Sequence, residues 1–170
     1  ALSVTFGLRY TDDKKDMSES VFAMGLGVLD PVTLGPVLSS DSAEFSETTS
    51  KLGLEYTTNN TLFYGTVSTG FKAGGFNISG LQPSYDPETV TAIEAGFKSS
   101  LASDSVRLNG AVFYYDYEDL QAFQIEGQSS VITNATSAEV SGIELELVSV
   151  ISESLTIDTA INYLDATYKE

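Results

Sequence analysis

The stretch spanning residues 141–163 alternates apolar and polar residues at every second position, and this constrains the fold more than any other feature. A period of two is the signature of a β-strand, because successive side chains point to opposite faces. The chain reverses at residues 152–154, and the second arm repeats the pattern to about residue 168. The apolar positions of the first arm are Ile143, Leu145 and Leu147, and the charged positions between them are Glu144 and Glu146. Such a hairpin is suited to a wall between lipid and water.

The same alternation recurs along the chain and predicts seven strands. They lie at residues 2–11, 44–57, 61–72, 88–99, 105–123, about 141–151, and 155–168. Long connections at residues 12–43, 73–86 and about 125–130 alternate with short turns at residues 59–60, 101–103 and 152–154. Consecutive antiparallel strands with long loops at one end and short turns at the other are typical of outer-membrane barrels. The predicted fold is therefore all-β, an antiparallel up-and-down transmembrane β-barrel fragment with long extracellular loops and short periplasmic turns.

Aromatic residues stand at both ends of the apolar stripes. Phe63 and Phe71 share a face, and eight residues of strand span about 26 Å. This distance matches the apolar band of a membrane barrel, which is bounded by two aromatic girdles. The predicted outer girdle is Tyr10, Phe71, Tyr114 and Tyr163, and the inner one is Tyr56, Phe63 and Phe97. The opposite, charged face would line a wet lumen.

Composition excludes several classes of function. A net charge of −16 disfavours binding to a nucleic-acid backbone. The chain has no Cys and no His, so thiol chemistry, the commonest general base and the commonest transition-metal ligand are all missing. We therefore expect no enzyme activity, no cofactor and no metal site. No apolar run reaches the roughly 20 residues of a membrane-spanning helix.

Three polar groups could be mistaken for chemical sites. Glu144 and Glu146 share a face, as paired acid–base carboxylates would, but a lumen wall explains them without a nucleophile or a histidine. The acidic residues within the stretch 12–16 lack the spacing of a calcium loop, which favours a solvated turn. The stretch 72–77 lacks the spacing of a phosphate-binding loop, which favours a strand that leaves the membrane into a loop.

Several stretches, in this order, resemble the barrel of TonB-dependent outer-membrane receptors. They are residues 7–16 (GLRYTDDKKD), 62–77 (LFYGTVSTGFKAGGFN), 85–98 (YDPETVTAIEAGFK), 108–121 (LNGAVFYYDYEDLQ) and 133–146 (TNATSAEVSGIELE). The resemblance implies a large barrel in the Gram-negative outer membrane, plugged by an N-terminal domain. It also implies import of a scarce ligand, usually an iron–siderophore complex, with energy from the inner membrane. The implied partners are outer-membrane lipid, this ligand, and TonB through the plug domain.

Two features of that family have no counterpart in the sequence. These are the plug with its TonB-contacting segment and the closing C-terminal strand with its terminal aromatic residue. Importers of this type have about 22 strands, and seven cannot close such a barrel. We therefore expect residues 1–170 to be part of a barrel domain and an internal piece of a longer chain that cannot transport alone.

Ligand contacts are expected in the glycine-rich connection and on the lumen side of the fifth predicted strand. In the lumen, aromatic side chains could stack on a ligand or pack on the plug, because binding and packing use the same residue types. The candidate ligand-binding residues are Lys72, Gly74, Gly75, Phe76, Asn77, Phe113, Tyr115 and Tyr117.

Other functions fit parts of the pattern. A passive porin-like channel would need neither plug nor energy coupling. A soluble β-sandwich binding module would also alternate, although its Greek-key crossings give no reason for long and short connections to alternate. An outer-membrane enzyme on a small barrel is disfavoured by the absence of His.

Overall fold

The computed structural model describes residues 1–21, 37–77, 84–126, 129–134 and 137–169. Within these ranges the secondary structure is entirely β, and no helix there is long and apolar enough to cross a bilayer. The strands are β1 (Leu2–Val21), β2 (Val37–Thr57), β3 (Thr61–Lys72), β4 (Glu88–Leu101), β5 (Val106–Glu118), β6 (Gln121–Glu126), β7 (Ser129–Asn134), β8 (Ala138–Ser152) and β9 (Leu155–Tyr168).

Seven of these strands form one antiparallel sheet in the order β1-β2-β3-β4-β5-β8-β9. Apart from the inserted β6–β7 hairpin, each strand pairs with its neighbour in the sequence, so the chain runs up and down without crossings. The sheet is a single open layer. The predicted seven-stranded meander is confirmed, and the alternative of a two-layer sandwich is wrong.

The sheet has two chemically distinct faces, which we call the apolar face and the polar face. On the apolar face large side chains are exposed, including Leu2 and Phe6 at 72% each. In register across the sheet, Val4 pairs with Leu54, and Val112 pairs with Ile143. A soluble monomer rarely exposes so extended an apolar surface. The predicted alternation is therefore confirmed, and this face requires an apolar surrounding.

The first two strands extend much further than the sequence predicted. Residues 12–43 were expected to form a loop, and the group 12–16 a solvated turn, yet β1 and β2 stay paired up to Val21 and Val37. The prediction failed because the side chains here do not alternate between apolar and polar: Lys14 pairs with Glu44 on one face, and Asp13 pairs with Phe45 on the other. Backbone pairing needs no apolar face once the strands project into water. Pro31 and Pro36 lie outside the described residues.

The predicted fifth strand also ends early. β5 stops at Glu118, and Asp119 follows with a left-handed φ of 53°. The chain then forms the β6–β7 hairpin, where a strand to residue 123 and a connection at about 125–130 were expected. Asp tolerates a left-handed conformation better than most residues, which allows the strand to break here. The strand β3, in contrast, has the predicted bounds of residues 61–72.

Aromatic rings lie over glycines on neighbouring strands. Tyr64 pairs directly with Gly96, Phe97 with Gly110, and Phe113 with Gly142. A Cβ atom added at Gly142 would lie 2.4 Å from the Phe113 ring and 2.7 Å from the Tyr163 carbonyl oxygen. Each ring thus occupies space that only a glycine leaves free.

Candidate functional site

The glycine-rich connection is held in place by the β6–β7 hairpin at the end of the sheet that carries the long loops. The Asn77 side chain is 5% exposed. Its Nδ2 donates to the Ile132 carbonyl oxygen over 2.8 Å, and its Oδ1 accepts from the Ile132 N–H over 2.6 Å. The amide thus satisfies one backbone donor and one acceptor on the free edge of β7, as a paired strand would.

Two further amide side chains join the same loops. Gln121 Nε2 donates to the carbonyl oxygens of Ala73 and Asp86, both over 3.1 Å. Asn134 Nδ2 donates to the carbonyl oxygens of Asp86 (2.9 Å) and Asp119 (2.8 Å), and its Oδ1 accepts from the Asp86 N–H over 2.7 Å. These hydrogen bonds satisfy loop carbonyl groups that have no strand partner. They hold the loops in a defined conformation, as backbone hydrogen bonds do in a sheet.

The extended part of β1 and β2 supports this region from the other side. Lys15 Nζ donates to the Gly74 carbonyl oxygen over 2.6 Å and lies 5.7 Å from the centre of the Phe45 ring. A Cβ atom at Gly74 would meet that ring at 2.5 Å. Gly75 forms an antiparallel bridge with Tyr85, whose side chain covers it. We call the assembly of residues 73–77, residues 84–87, β6, β7, Lys15 and Phe45 the loop platform.

Replacing Asn77 by alanine is expected to open the loop platform. The change leaves the Ile132 N–H and C=O without their side-chain partner, at a cost of about 1–3 kcal/mol for buried groups. In the full-length receptor, limited proteolysis from the long-loop side should cut the β6–β7 region faster in Asn77→Ala. Asn109→Ala is the matched control, because it removes one hydrogen bond to Glu146 on the sheet, over 3.2 Å. Equal cleavage of both variants would contradict the role of Asn77.

The structure separates the predicted ligand residues by their surroundings. Gly74, Gly75 and Asn77 are buried in the loop platform, and their contact with a ligand stays a prediction. Lys72 is exposed at the end of β3, and Phe76 is partly exposed. Lys72 and Phe76 are therefore accessible to a ligand. The loop platform also exposes two apolar side chains that the sequence did not single out, Phe123 at 68% and Ile125 at 75%.

The remaining predicted residues form an aromatic column on the polar face of β5. The rings of Phe113 and Tyr115 stack, with centres 5.0 Å apart and an angle of 24° between their planes. Tyr117 continues the same face, and all three are partly exposed. Phe113 rests on Gly142 of β8. The column therefore combines a fixed base with accessible ring surface, which suits stacking on a planar group.

Below the column lies a polar network that the sequence analysis did not assign. The Tyr64 hydroxyl crosses Gly96 and donates to Glu94 Oε1 over 2.6 Å. Lys98 Nζ lies 5.9 Å from the centre of the same ring. Only the register, in which Tyr64 faces a glycine, makes the diagonal contact with Glu94 feasible. Within the described ranges, no group of His, Cys, Asp or Glu side chains is placed to hold a metal ion.

An ion-pair cluster bounds the apolar face at its long-loop end. Lys169 Nζ lies 3.1 Å from Asp116 and 2.5 Å from Glu139, and the Tyr114 hydroxyl donates to Glu139. The hydrogen bonds to Glu139 and then Asp116 raise the pKa of Lys169 above its usual range. The sheet thus changes from an apolar to a charged surface directly above Tyr114.

A single-layer meander with one apolar and one charged face defines a segment of a membrane β-barrel wall. The family model for the TonB-dependent receptor-like β-barrel matches residues 1–169. The chain belongs to the TonB-dependent receptor β-barrel family.

Solved structures with the same fold are receptors from several bacteria. The ferric yersiniabactin uptake receptor FyuA of Yersinia pestis is 21% identical, with a TM-score of 0.81 over 99% of this chain and 24% of its own. The ferric-catecholate import receptor Fiu of E. coli K12 is 17% identical, with a TM-score of 0.71, and the match covers 99% of this chain and 26% of Fiu. The siderophore receptor PiuA of Acinetobacter baumannii is 19% identical, with a TM-score of 0.70, and the match covers 97% of this chain and 23% of PiuA. The chain thus spans about a quarter of each of these proteins.

Proposed function

We propose that the whole protein is an outer-membrane receptor for the energy-coupled uptake of a scarce ligand, and that this ligand is a ferric siderophore. The observation that carries the proposal is the continuous two-faced wall, apolar on one side and charged on the other, in a chain that matches the family model over residues 1–169. The names of FyuA, Fiu and PiuA, which refer to iron or siderophore uptake, support the choice of ligand. The chain described here would supply a quarter of the receptor's length as barrel wall.

In this proposal the apolar face contacts outer-membrane lipid and the polar face lines the lumen. The loop platform would stand outside the cell, where its partly exposed Phe76 and the adjacent, exposed Lys72 would meet the ligand first. Phe113, Tyr115 and Tyr117 would follow along the route inwards and offer ring surface to a planar iron-binding group. TonB would act through a plug domain that lies in another part of the receptor.

Uptake of radioactive iron tests this function. A strain lacking the full-length receptor should lose accumulation of at least one ⁵⁵Fe-loaded siderophore, tested from a panel of catecholate, hydroxamate and phenolate types. Accumulation should return with the gene, and it should stop when a protonophore collapses the inner-membrane potential. Uptake that is insensitive to the protonophore would point to a passive channel instead. Unchanged accumulation of every siderophore in the deletion strain would overturn the proposed ligand class.

Epitope tags are expected to reveal the direction of the strands. A tag after Ser79, which lies outside the described residues, should bind antibody on intact cells, because the long connections would face outwards. A tag after Asn59, in the short turn between β2 and β3, should bind only after the outer membrane is permeabilised. The reverse labelling pattern would overturn the proposed orientation.

A further inference from the structure

A second site lies at the opposite end of the sheet, between two short turns. A cavity of about 620 Å³ opens there between residues 57–62 and the turn that follows β4. Its volume falls within the range of small-ligand sites, about 300–1,000 Å³. The lining includes the cations Lys98 and Arg107, the carboxylate of Asp104, and the side chains of Asn59, Asn60 and Asn109. The proposed function makes no use of this cavity.

The two cations stand close together on the polar face. Lys98 is paired with Asn109 and Arg107 with Ser100, which makes Lys98 and Arg107 diagonal neighbours on adjacent strands. Diagonal neighbours are separated by about 7–8 Å, so a single carboxylate can lie between two long side chains. Both residues are exposed.

Neither cation has an acidic partner in the part of the chain that the structure describes, where ion pairs involve Lys14, Lys15 and Lys169. Asp104 and Glu146 are the nearby carboxylates, but Asp104 forms no ion pair and Glu146 accepts from Asn109. The chain has 24 acidic and 8 basic residues, so carboxylates are abundant. Two adjacent like charges repel each other, and a bound anion would remove this repulsion.

The walls of the cavity are held in a fixed shape. The Ser100 N–H donates to the Asn60 carbonyl oxygen over 2.9 Å, and the hydroxyls of Thr61 and Ser99 are 2.8 Å apart. The turn at Ala102, Ser103 and Asp104 has three successive positive φ values of 50°, 56° and 69°. Such a conformation persists only when its surroundings impose it, and here Ser105 Oγ donates to the Ala102 carbonyl oxygen over 2.6 Å. The site therefore needs little rearrangement to accept a ligand.

We propose that this cavity is a carboxylate-binding site at the short-turn mouth of the lumen, in which Lys98 and Arg107 hold the carboxylate group. The planar guanidinium of Arg107 can donate two parallel hydrogen bonds to one carboxylate, and the Lys98 ammonium adds a second positive charge. Two sources could supply the group: an Asp or Glu side chain of another protein segment that reaches the mouth, or a small carboxylate ligand.

Citrate binding to the full-length receptor in detergent tests the small-ligand source. Calorimetry should give citrate a dissociation constant at least ten times higher in the double variant Lys98→Gln, Arg107→Gln than in the wild type. Lys51→Gln is the matched control, since Lys51 is an exposed cation on the polar face of β2 outside the cavity. Retention of the folded band in unheated electrophoresis identifies variants that are assembled.

A photo-crosslinker tests the protein source. With p-benzoylphenylalanine in place of Ser103, which also lines the cavity, irradiation in cells and mass spectrometry should identify a crosslinked segment containing Asp or Glu, and this crosslink should be lost when Lys98 and Arg107 are both changed to Gln. Citrate binding that depends on the two cations supports a small ligand, and a crosslink to an acidic segment supports a protein side chain. The proposal is overturned if citrate binds equally to all variants or not at all, and no acidic segment is crosslinked. Unchanged siderophore accumulation in a strain that lacks the receptor would refute the proposed function without affecting either readout.

Discussion

Arginine at Leu145 should destabilise the receptor by about 2–4 kcal/mol if the position lies near the bilayer midplane. Leu145 belongs to the apolar face, is 40% exposed, and pairs with Gly110 and Ile161 of the adjacent strands. In the membrane that exposed surface would contact lipid tails, which cannot solvate a guanidinium group. Val112, 51% exposed on the same face of β5, should respond to arginine in the same way. Denaturant unfolding of the full-length receptor in lipid vesicles measures both effects.

The control for this experiment is the adjacent position on the opposite face. Glu144→Ser should change the unfolding free energy little, because Glu144 lies on the polar face opposite Ala111 and Asn162. Similar losses at Leu145 and Glu144 would mean that both faces are equally intolerant of polar change. That result would be incompatible with a barrel wall.

Deleting residues 74–84 should lower siderophore uptake at least tenfold while the barrel remains folded. The excised stretch includes Phe76 and Asn77 and removes the part of the loop platform that directly follows β3. The two ends to be joined lie close together, because Gly75, two residues from Ala73, bridges Tyr85 and its N–H donates to the Tyr85 carbonyl oxygen over 3.0 Å. Where the tenfold loss of uptake arises from weaker ligand binding alone, it corresponds to about 1.4 kcal/mol of binding free energy.

Uptake and folding have to be measured together for this deletion. Initial rates of ⁵⁵Fe-siderophore uptake give the function, and the shift between heated and unheated electrophoresis gives the folded fraction. Phe76→Ala is the milder companion variant and should reproduce part of the loss without altering the backbone. Unchanged uptake after the deletion would remove this loop from the binding site.

Sequence periodicity predicted those parts of the fold in which one face is apolar and the other polar. The bounds of β3 follow from Phe63, Val67 and Phe71 on one face, because an apolar surrounding on one side and a polar one on the other impose alternation. The upper parts of β1 and β2 have no continuous apolar face, since Lys14 pairs with Glu44 and only Phe45 packs on the loop platform, so their residues carry no such pattern. There the strand is stabilised by backbone pairing, which composition does not encode.

The ligand-binding role of the candidate residues stays a prediction, and the contacts that hold them in place were not predictable from the sequence. The sequence placed Asn77 among the ligand-binding residues, yet its amide is bonded to Ile132, which is 55 residues away in the chain. Local pattern carries no information about such a partner. Similarly, Gln121 and Asn134 were not identified, because an amide that joins two loops has no characteristic spacing. Phe113 and Tyr115 could be placed on the polar face because strand alternation alone determines their face.

The rings that cover glycines have a consequence for how the strands find their partners. A slip of one residue turns every apolar side chain to the wrong face and is strongly disfavoured, but a slip of two keeps both faces intact. The alternation of apolar and polar residues therefore does not discriminate against register shifts by an even number of residues. Such an error between β4 and β5 would set Phe97 against Leu108 or Val112, where a side chain fills the space left open at Gly110. The aromatic–glycine pairs thus favour the native strand register over registers shifted by two residues while the sheet assembles.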